Sequence, residues 1–95
     1  MFIEGFIWLP EVIDKIVSKH QVTPKEVEDI FFDRPRFRFH EKGLVQGENM
    51  YTAIGQTDRG RYLVVFFIFK SSHRALIISA RDTDRSERKY YERKK

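Results

Sequence analysis

"RYLVVFFIFK", residues 61–70, is the stretch that decides the fold. Eight consecutive residues from Tyr62 to Phe69 are apolar or aromatic, a composition typical of a β-strand. Successive side chains of a strand point to opposite faces, so both faces of this strand must be covered. We therefore predict that residues 61–70 form a central strand inside a sheet.

Two further strand-like segments flank this stretch. They are "MYTAIGQ", residues 50–56, and "RALIISAR", from which we predict a strand at 75–81. The intervening "TDRG" and "SSH" are turn chemistries. The pattern predicts three consecutive antiparallel strands that form a meander.

The first third of the chain reads as a strand followed by two helices. "FIEGFIW" can form a short opening strand, and Pro10 suits the first turn of a helix whose apolar stripe is Val12, Ile13, Ile16 and Val17. In "TPKE", Thr23 is placed to cap a second helix that starts at Pro24 and ends near Asp33, with Glu26 closing a capping box. The buried face of that helix would be Val27, Ile30 and Phe31.

Both remaining segments carry many charges. In "RPRFRFHEKG", residues 34–43, Phe37 and Phe39 would face a core while Arg36, Arg38 and His40 share the other side of a strand. Asp84 with Glu87 begins a last helix. The predicted order is β-α-α-β-β-β-β-α, an α+β domain with helices packed on an antiparallel sheet.

Length and composition predict a single domain spanning residues 1–95, with one core. The chain has a net charge of +4, and residues 81–95 hold seven Lys or Arg against four Asp or Glu, which favours a polyanionic or acidic partner. The absence of cysteine excludes disulfides and thiolate metal sites. No apolar run approaches a membrane span and no basic leader precedes the first strand, so we expect a cytoplasmic protein.

A family resemblance rests on short motifs that run in order along nearly the whole chain. They are "WLP" at 8–10, "KHQVTPKEVEDIFFDRP" at 19–35, "GE" at 47–48, "AIG" at 53–55, "GR" at 60–61, "IISAR" at 77–81, and "ER" with "YYE" at 87–92. Together they resemble the BrnT family of bacterial type II toxins. The resemblance implies a RelE-like ribonuclease fold, an RNA target in translation, and a neutralising antitoxin with a ribbon-helix-helix DNA-binding half. DNA would then be contacted only through the antitoxin.

Three positions depart from the family pattern. Met50 stands where the family usually has an arginine, Leu76 replaces another basic residue, and Gln21 replaces the glycine usual after "KH". Arginine has forked donors that suit a phosphate, so the two losses raise a second reading. In that reading the chain is a catalytically degenerate toxin that acts only as an antitoxin partner.

The resemblance implies a ribonuclease that needs no metal or other cofactor, in which the ribose 2′-OH attacks the adjacent phosphate. The reaction needs a base, donors for the charge that develops on the phosphate, and a proton source for the leaving oxygen. Residues of suitable type lie at family-like positions: Lys19, His20, Glu48, Arg61 and Arg81. Arg81 is the strongest candidate, because it ends a strand on the face that we expect to hold Ile77 and Ser79. The alternative is a structural role, in which Arg81 forms an ion pair with Glu87 or Asp84. A metal role for "DTD" at 82–84 is not expected, because Asp84 already has a capping position.

Four residues are candidates for contact with RNA: Trp8, Arg36, Arg38 and Tyr91. Trp8 could stack on a base or pack in the core, and Tyr91 could anchor the last helix or offer a hydroxyl. Arg36 and Arg38, together with His40, could follow phosphates, bind an acidic antitoxin segment, or only protect an edge strand from aggregation.

A helix-turn-helix DNA-binding module is the competing class, since two helices joined by "HQV" imitate it. The charges argue against this class. The second helix carries Glu26, Glu28 and Asp29 against Lys25 alone, so it would be repelled by phosphates.

Overall fold

The fold is described by a computed structural model that covers residues 1–43 and 48–94. Its elements are β1 (Gly5–Ile7), α1 (Pro10–His20), α2 (Pro24–Phe31), β2 (Arg36–Glu41), β3 (Met50–Gln56), β4 (Tyr62–Phe69), β5 (Arg74–Asp82) and α3 (Arg85–Lys94). This order confirms the predicted α+β arrangement. Gly47, the first residue of the "GE" motif, lies outside the described residues.

Five strands form one sheet in the order β1-β5-β4-β3-β2. β2, β3, β4 and β5 pair antiparallel in chain order, and β4 lies inside the sheet between β3 and β5, as predicted for residues 61–70. The expectation of a purely antiparallel sheet was wrong, because β1 pairs parallel with β5 through Gly5↔Arg74 to Ile7↔Leu76. Two parallel strands need a long connection between them, and here residues 8–73 connect β1 to β5.

Sequence patterns placed the helix starts correctly. The Thr23 hydroxyl accepts from the Glu26 backbone N–H at 3.2 Å, and the Glu26 carboxylate accepts from the Thr23 N–H at 3.0 Å, which completes the capping box. Asp84 and Glu87 make the same reciprocal pair before α3. The α1 stripe is narrower than predicted, because Val17 is 45% exposed.

The main core lies between the sheet and the pair α1 and α2. Ile16 of α1 and Val27 and Ile30 of α2 pack on Val65 and Phe67 of the central strand β4. All five residues are fully buried. A smaller cluster lies on the second face of the sheet, where Tyr91 of α3 packs against side chains of β3 and β4. The doubly apolar β4 is therefore covered on both faces, as its sequence requires.

Two β-bulges shift which side chains reach the second face. In β5, Phe66 pairs with Ser79 and Phe67 with Ile77, so Ile78 is the extra residue. In β2, the register shifts between Phe39 and Glu41, which leaves His40 as the extra residue. A bulge interrupts the alternation of side chains and re-aims its neighbours.

The bulge at Ile78 corrects the prediction for Arg81. Ile77 is fully buried in the main core, whereas Ser79 and Arg81 lie on the second face, so Arg81 does not share a face with Ile77. The carbonyl of the bulged Ile78 accepts a hydrogen bond from Lys15 Nζ at 2.9 Å. Lys15 thus satisfies a backbone group at the break in the ladder.

Within the described residues, no helix combines the length and the apolar character needed to cross a bilayer.

Candidate functional site

Arg61 joins three elements at one corner of the domain. Its Nε and Nη2 donate to the Asp82 carboxylate at 2.7 and 3.2 Å, and Nη1 donates to the Glu26 carboxylate at 3.2 Å. Nη1 also donates to the Gln21 carbonyl at 2.7 Å, and Nη2 to the His20 carbonyl at 2.9 Å. A guanidinium has five N–H donors, so these contacts use all of them. Arg61 fastens the end of α1 and the start of α2 to β5.

The corner also explains the unusual conformation of Gln21. Its φ is +53°, the left-handed conformation in which helices often end and for which glycine is best suited. The bond from Arg61 to the Gln21 carbonyl supports this turn. The glycine of the family pattern would adopt the same conformation without a side-chain penalty.

The charges at the corner reinforce one another. Hydrogen bonding to Asp82 raises the pKa of Arg61, and hydrogen bonding to Arg61 lowers the pKa of the Asp82 carboxyl. His20 lies close enough to add a smaller favourable charge interaction with Asp82. Lys19, one residue earlier, is exposed at the end of α1.

Glu48 lies at the opposite end of the sheet from Arg61. Its carboxylate accepts from Lys70 Nζ at 2.8 Å, just after β4, whereas Arg61 lies just before β4. The eight residues of β4 separate Arg61 from Lys70, and these nine steps along the chain span roughly 30 Å at about 3.3 Å per residue. Glu48 and Arg61 therefore cannot contact the same phosphate in this conformation.

Arg81 lies on the second face and is paired with α3. Its Nη1 and Nη2 donate to the two oxygens of Glu87, each at 2.9 Å, and this contact raises the pKa of Arg81. The Glu87 side chain is only 10% exposed, while Arg81 is 36% exposed. Arg81 Nη1 also donates to the Asp82 carbonyl at 3.1 Å. The ion pair expected as the structural alternative is thus present, and about a third of the Arg81 side chain remains exposed.

Phe66, in the middle of β4, is the centre of a cluster on the second face. The Arg81 guanidinium carbon lies 5.5 Å from the centroid of its ring, and the His40 ring lies 5.3 Å away, edge to face. Ser79 pairs with Phe66 on the neighbouring strand. The cluster therefore combines an imidazole, a guanidinium and a hydroxyl on one open part of the sheet, a set of groups suited to acid–base work and to charge stabilisation.

Arg38 extends the cluster towards the sheet edge. It occupies the same row as Phe66, through Arg38↔Thr52 and Thr52↔Phe66, and its guanidinium carbon lies 4.7 Å from the ring centroid of Tyr90 in α3. Arg36 lies one row further along β2, beside a cavity of about 190 Å³ that Tyr91 also lines. The Tyr91 side chain is 3% exposed and packs in the smaller core.

Trp8 is directed inward. Its indole Nε1 donates to Glu28 Oε2 at 2.8 Å, and its ring packs against the main core. Asp29 of the same helix contacts Lys25 at 3.2 Å, and Glu26 contacts Arg61. The acidic residues of α2 thus serve internal contacts, and the buried side of α2 packs on the sheet, which leaves no basic recognition surface on this helix.

Two of the three departures from the family pattern, Met50 and Leu76, lie in one row of the second face. Met50 pairs with Ile68 across β3 and β4, and Ile68 pairs with Leu76 across β4 and β5. Leu76 in turn pairs with Ile7 of β1. Two positions that the family resemblance implies to be basic therefore flank Ile68, and the three paired residues of β3, β4 and β5 are apolar, whereas Glu41 of β2 pairs with Met50 at the end of the row.

A comparison with known protein families identifies the family to which the chain belongs. A family model described as the ribonuclease toxin BrnT of type II toxin–antitoxin systems matches residues 8–87. The chain belongs to this family. No curated protein matches the sequence. The BrnT match covers α1, α2 and β2 to β5 but only the first three residues of α3, so Tyr90 and Tyr91 lie beyond it, as does β1 at the other end.

The structure thus divides the predicted site residues of this BrnT-family chain. Lys19, His20 and Arg61 lie at the corner, Glu48 lies at the far end, and Arg81 lies on the second face. His40 was not among the predicted catalytic residues, although its alternation with Arg36 and Arg38 was visible. Only the bulge shows that its imidazole reaches Phe66.

Proposed function

We propose that the chain is the toxin of a type II toxin–antitoxin system and acts in the cytoplasm as a metal-independent endoribonuclease. The observation that carries this proposal is the contact of both His40 and Arg81 with Phe66 on the second face. In the proposed reaction the 2′-OH of one ribose attacks the adjacent phosphate, a P–O bond to the next nucleotide breaks, and a 2′,3′-cyclic phosphate forms.

His40 is the proposed acid–base group. It takes the proton of the attacking hydroxyl or gives one to the leaving 5′ oxygen, a role for which histidine is the most common side chain. Its side chain is 44% exposed, so substrate can approach it. The β-bulge that aims His40 at Phe66 supports the assignment, because bulges are frequent beside active sites.

Arg81 is the proposed donor to the phosphate oxygens, where negative charge develops during attack. Its bidentate contact with Glu87 holds the guanidinium in place before substrate arrives. Glu87 itself accepts from the Asp84 N–H at 2.8 Å, so the start of α3 fixes this orientation. Arg61 has no such role in the proposal, because its donors are all engaged at the corner.

A ribbon-helix-helix antitoxin is the proposed neutralising partner. Membership of a toxin–antitoxin family supports an antitoxin, and the sequence resemblance supports its type. Any contact with DNA would then pass through the antitoxin. A neighbouring reading frame that encodes such a protein would support this part of the proposal, and a neighbour of another fold would overturn it.

The test is a cleavage assay on single-stranded RNA, with wild type and His40→Ala, each with and without a chelator. We expect cleavage by wild type to persist in chelator and to leave 2′,3′-cyclic ends. Loss of His40 should lower the rate on the order of 10²-fold, because that is the usual worth of a positioned acid–base group. The melting temperature should change little, since the side chain is exposed. Arg59→Ala, in the turn before β4, is the matched surface control.

Three outcomes would contradict the proposal in different ways. Cleavage that stops with chelator would remove the metal-free mechanism, and an unchanged rate in His40→Ala would remove His40 from it. No cleavage by wild type, together with tight antitoxin binding, would favour the degenerate toxin, which the apolar row of Met50, Ile68 and Leu76 supports. Met50→Arg then tests the cause of the inactivity: cleavage gained with the restored guanidinium would assign the loss to Met50, and no cleavage would leave the chain as an inert partner.

A further inference from the structure

We propose that β2 is a track for single-stranded RNA, on which Arg36 and Arg38 hold successive phosphates and lead the strand to His40. This inference rests on the proposed function, since it assigns the substrate's path to the same site. It concerns binding alone, so it can be tested without any cleavage.

The spacing of the two arginines fits one nucleic-acid strand. Arg36 and Arg38 lie on the same face of β2, paired with Ile54 and Thr52 of β3, and alternate residues of a strand are roughly 6.6 Å apart. That separation is close to the distance between consecutive phosphates in an extended single strand. A duplex carries phosphates on two strands that wind around each other, and Arg36 and Arg38 on one straight β-strand can follow only one of them.

The N–H donors of Arg36 and Arg38 are available to a ligand, in contrast to those of Arg61. Within residues 1–43 and 48–94, neither Arg36 nor Arg38 has a carboxylate at ion-pair distance. Arg38 is exposed, and the face of its guanidinium rests on Tyr90 at 4.7 Å. Stacking of this kind orients the group while its N–H edge stays open to a phosphate.

The chain before β2 adds a third positive charge. Arg34 is an exposed residue with a φ of +48°, a conformation that is rare for a non-glycine residue and further disfavoured before Pro35. Strain of this kind persists where the surrounding structure imposes it, and it often marks functional segments. Here it brings Arg34 beside Arg36 at the cavity of about 190 Å³, whose other lining residues are Asp33 and Tyr91. Asp33 opposes a phosphate at this end, so we assign the two principal contacts to Arg36 and Arg38.

The position of β2 completes the inference. It is an edge strand, open on one side, and its second face runs from the cavity to the cluster around Phe66. A strand of RNA whose phosphates lie at Arg36 and Arg38 would place its next phosphate at His40. Positioning residues and reaction residues then follow one another along six residues of β2.

The test measures binding of a short single-stranded oligonucleotide whose 2′-O-methyl groups prevent 2′-OH attack. Arg36→Gln and Arg38→Gln keep most of the aliphatic stem and remove the charge, and Arg59→Gln is the control of equal charge on another surface. We expect each of the first two changes to weaken binding several-fold and to reduce the salt slope of log K by about 0.7, the value for one phosphate contact on a single strand. Arg59→Gln should match wild type, and the same sequence as a duplex should bind more weakly. Thermal melts check that every variant is folded.

Two results would overturn the inference. One is an affinity and salt slope for Arg36→Gln and Arg38→Gln equal to those of Arg59→Gln. The other is unchanged RNA binding with weakened antitoxin binding, which would assign the row to an acidic segment of the antitoxin. If the oligonucleotide binds as expected while unmodified RNA is not cut, the track is supported and the proposed ribonuclease activity fails, so the two ideas fail separately.

Discussion

The corner around Arg61 and the cluster around Phe66 both contain arginines, but the two regions differ in how many of the arginine donors the protein itself uses. Arg61 directs all its donors to two carboxylates and two carbonyls of the protein itself. On the second face, Arg38 rests on an aromatic ring without a carboxylate among the described residues, and Arg81 keeps a third of its side chain exposed. A family motif therefore identifies an arginine, and its partners decide whether that arginine serves the fold or a ligand.

Arg61→Ala gives the largest expected effect on stability. It leaves the carbonyls that end α1 without this donor and the Glu26 carboxylate without its counter-charge, so we expect the free energy of unfolding to fall by about 2–3 kcal/mol. Urea unfolding measures this change, and Arg59→Ala should cost far less. Cleavage by the folded variant should be unchanged. A loss on the order of 10²-fold with an intact fold would instead return Arg61 to the active site.

Arg81 sharpens the comparison, because it has a structural partner and a proposed catalytic role. Arg81→Ala leaves the largely buried Glu87 without its counter-charge, and we expect a loss of about 1–2 kcal/mol, moderated by solvent around Arg81. Arg81→Ala combined with Glu87→Gln should recover more than half of this stability, since the amide oxygen can still accept from the Asp84 N–H.

Cleavage should stay low in both variants, because neither supplies a donor to the phosphate. Recovery of the rate together with stability in the double variant would show that Arg81 acts only by anchoring α3. Melts and cleavage rates measured on the same preparations distinguish these outcomes.

The smallest expected effect is a change in acid stability through Asp82. Its pKa is lowered in the folded state by Arg61, so the stability it contributes is fully present above its unfolded pKa, about 4, and is lost as pH falls through the folded value. Asp82→Asn should therefore flatten the dependence of the melting temperature on pH below about 5, with Asp58→Asn, in the exposed turn, as control. The effect should be modest because the Asp82 side chain is 65% exposed. An equal flattening in Asp82→Asn and Asp58→Asn would show that the effect does not come from the Arg61–Asp82 pair.

Local sequence patterns predicted the elements well where one physical cause dominates. Thr23, Pro24 and Glu26 define the start of α2 because capping is satisfied within four residues. The ends of elements and the exposure of Val17 depended on how far the sheet extends beneath each helix, which no local pattern specifies. The motif "IISAR" identified β5 but gave the wrong face for Arg81, because the bulge at Ile78 adds one residue to the alternation.

By itself, the sequence determined the family, the order of elements and the inner position of residues 61–70, since an apolar run must be buried on both faces wherever it lies. The tertiary structure decided which charged side chains meet. Arg61 and Asp82 are separated by 21 residues and Trp8 and Glu28 by 20, and these pairs form because chain reversals bring them together. The cluster of His40, Phe66 and Arg81 likewise depends on two bulges, and a bulge is set by pairing between strands rather than by the residues of one strand alone.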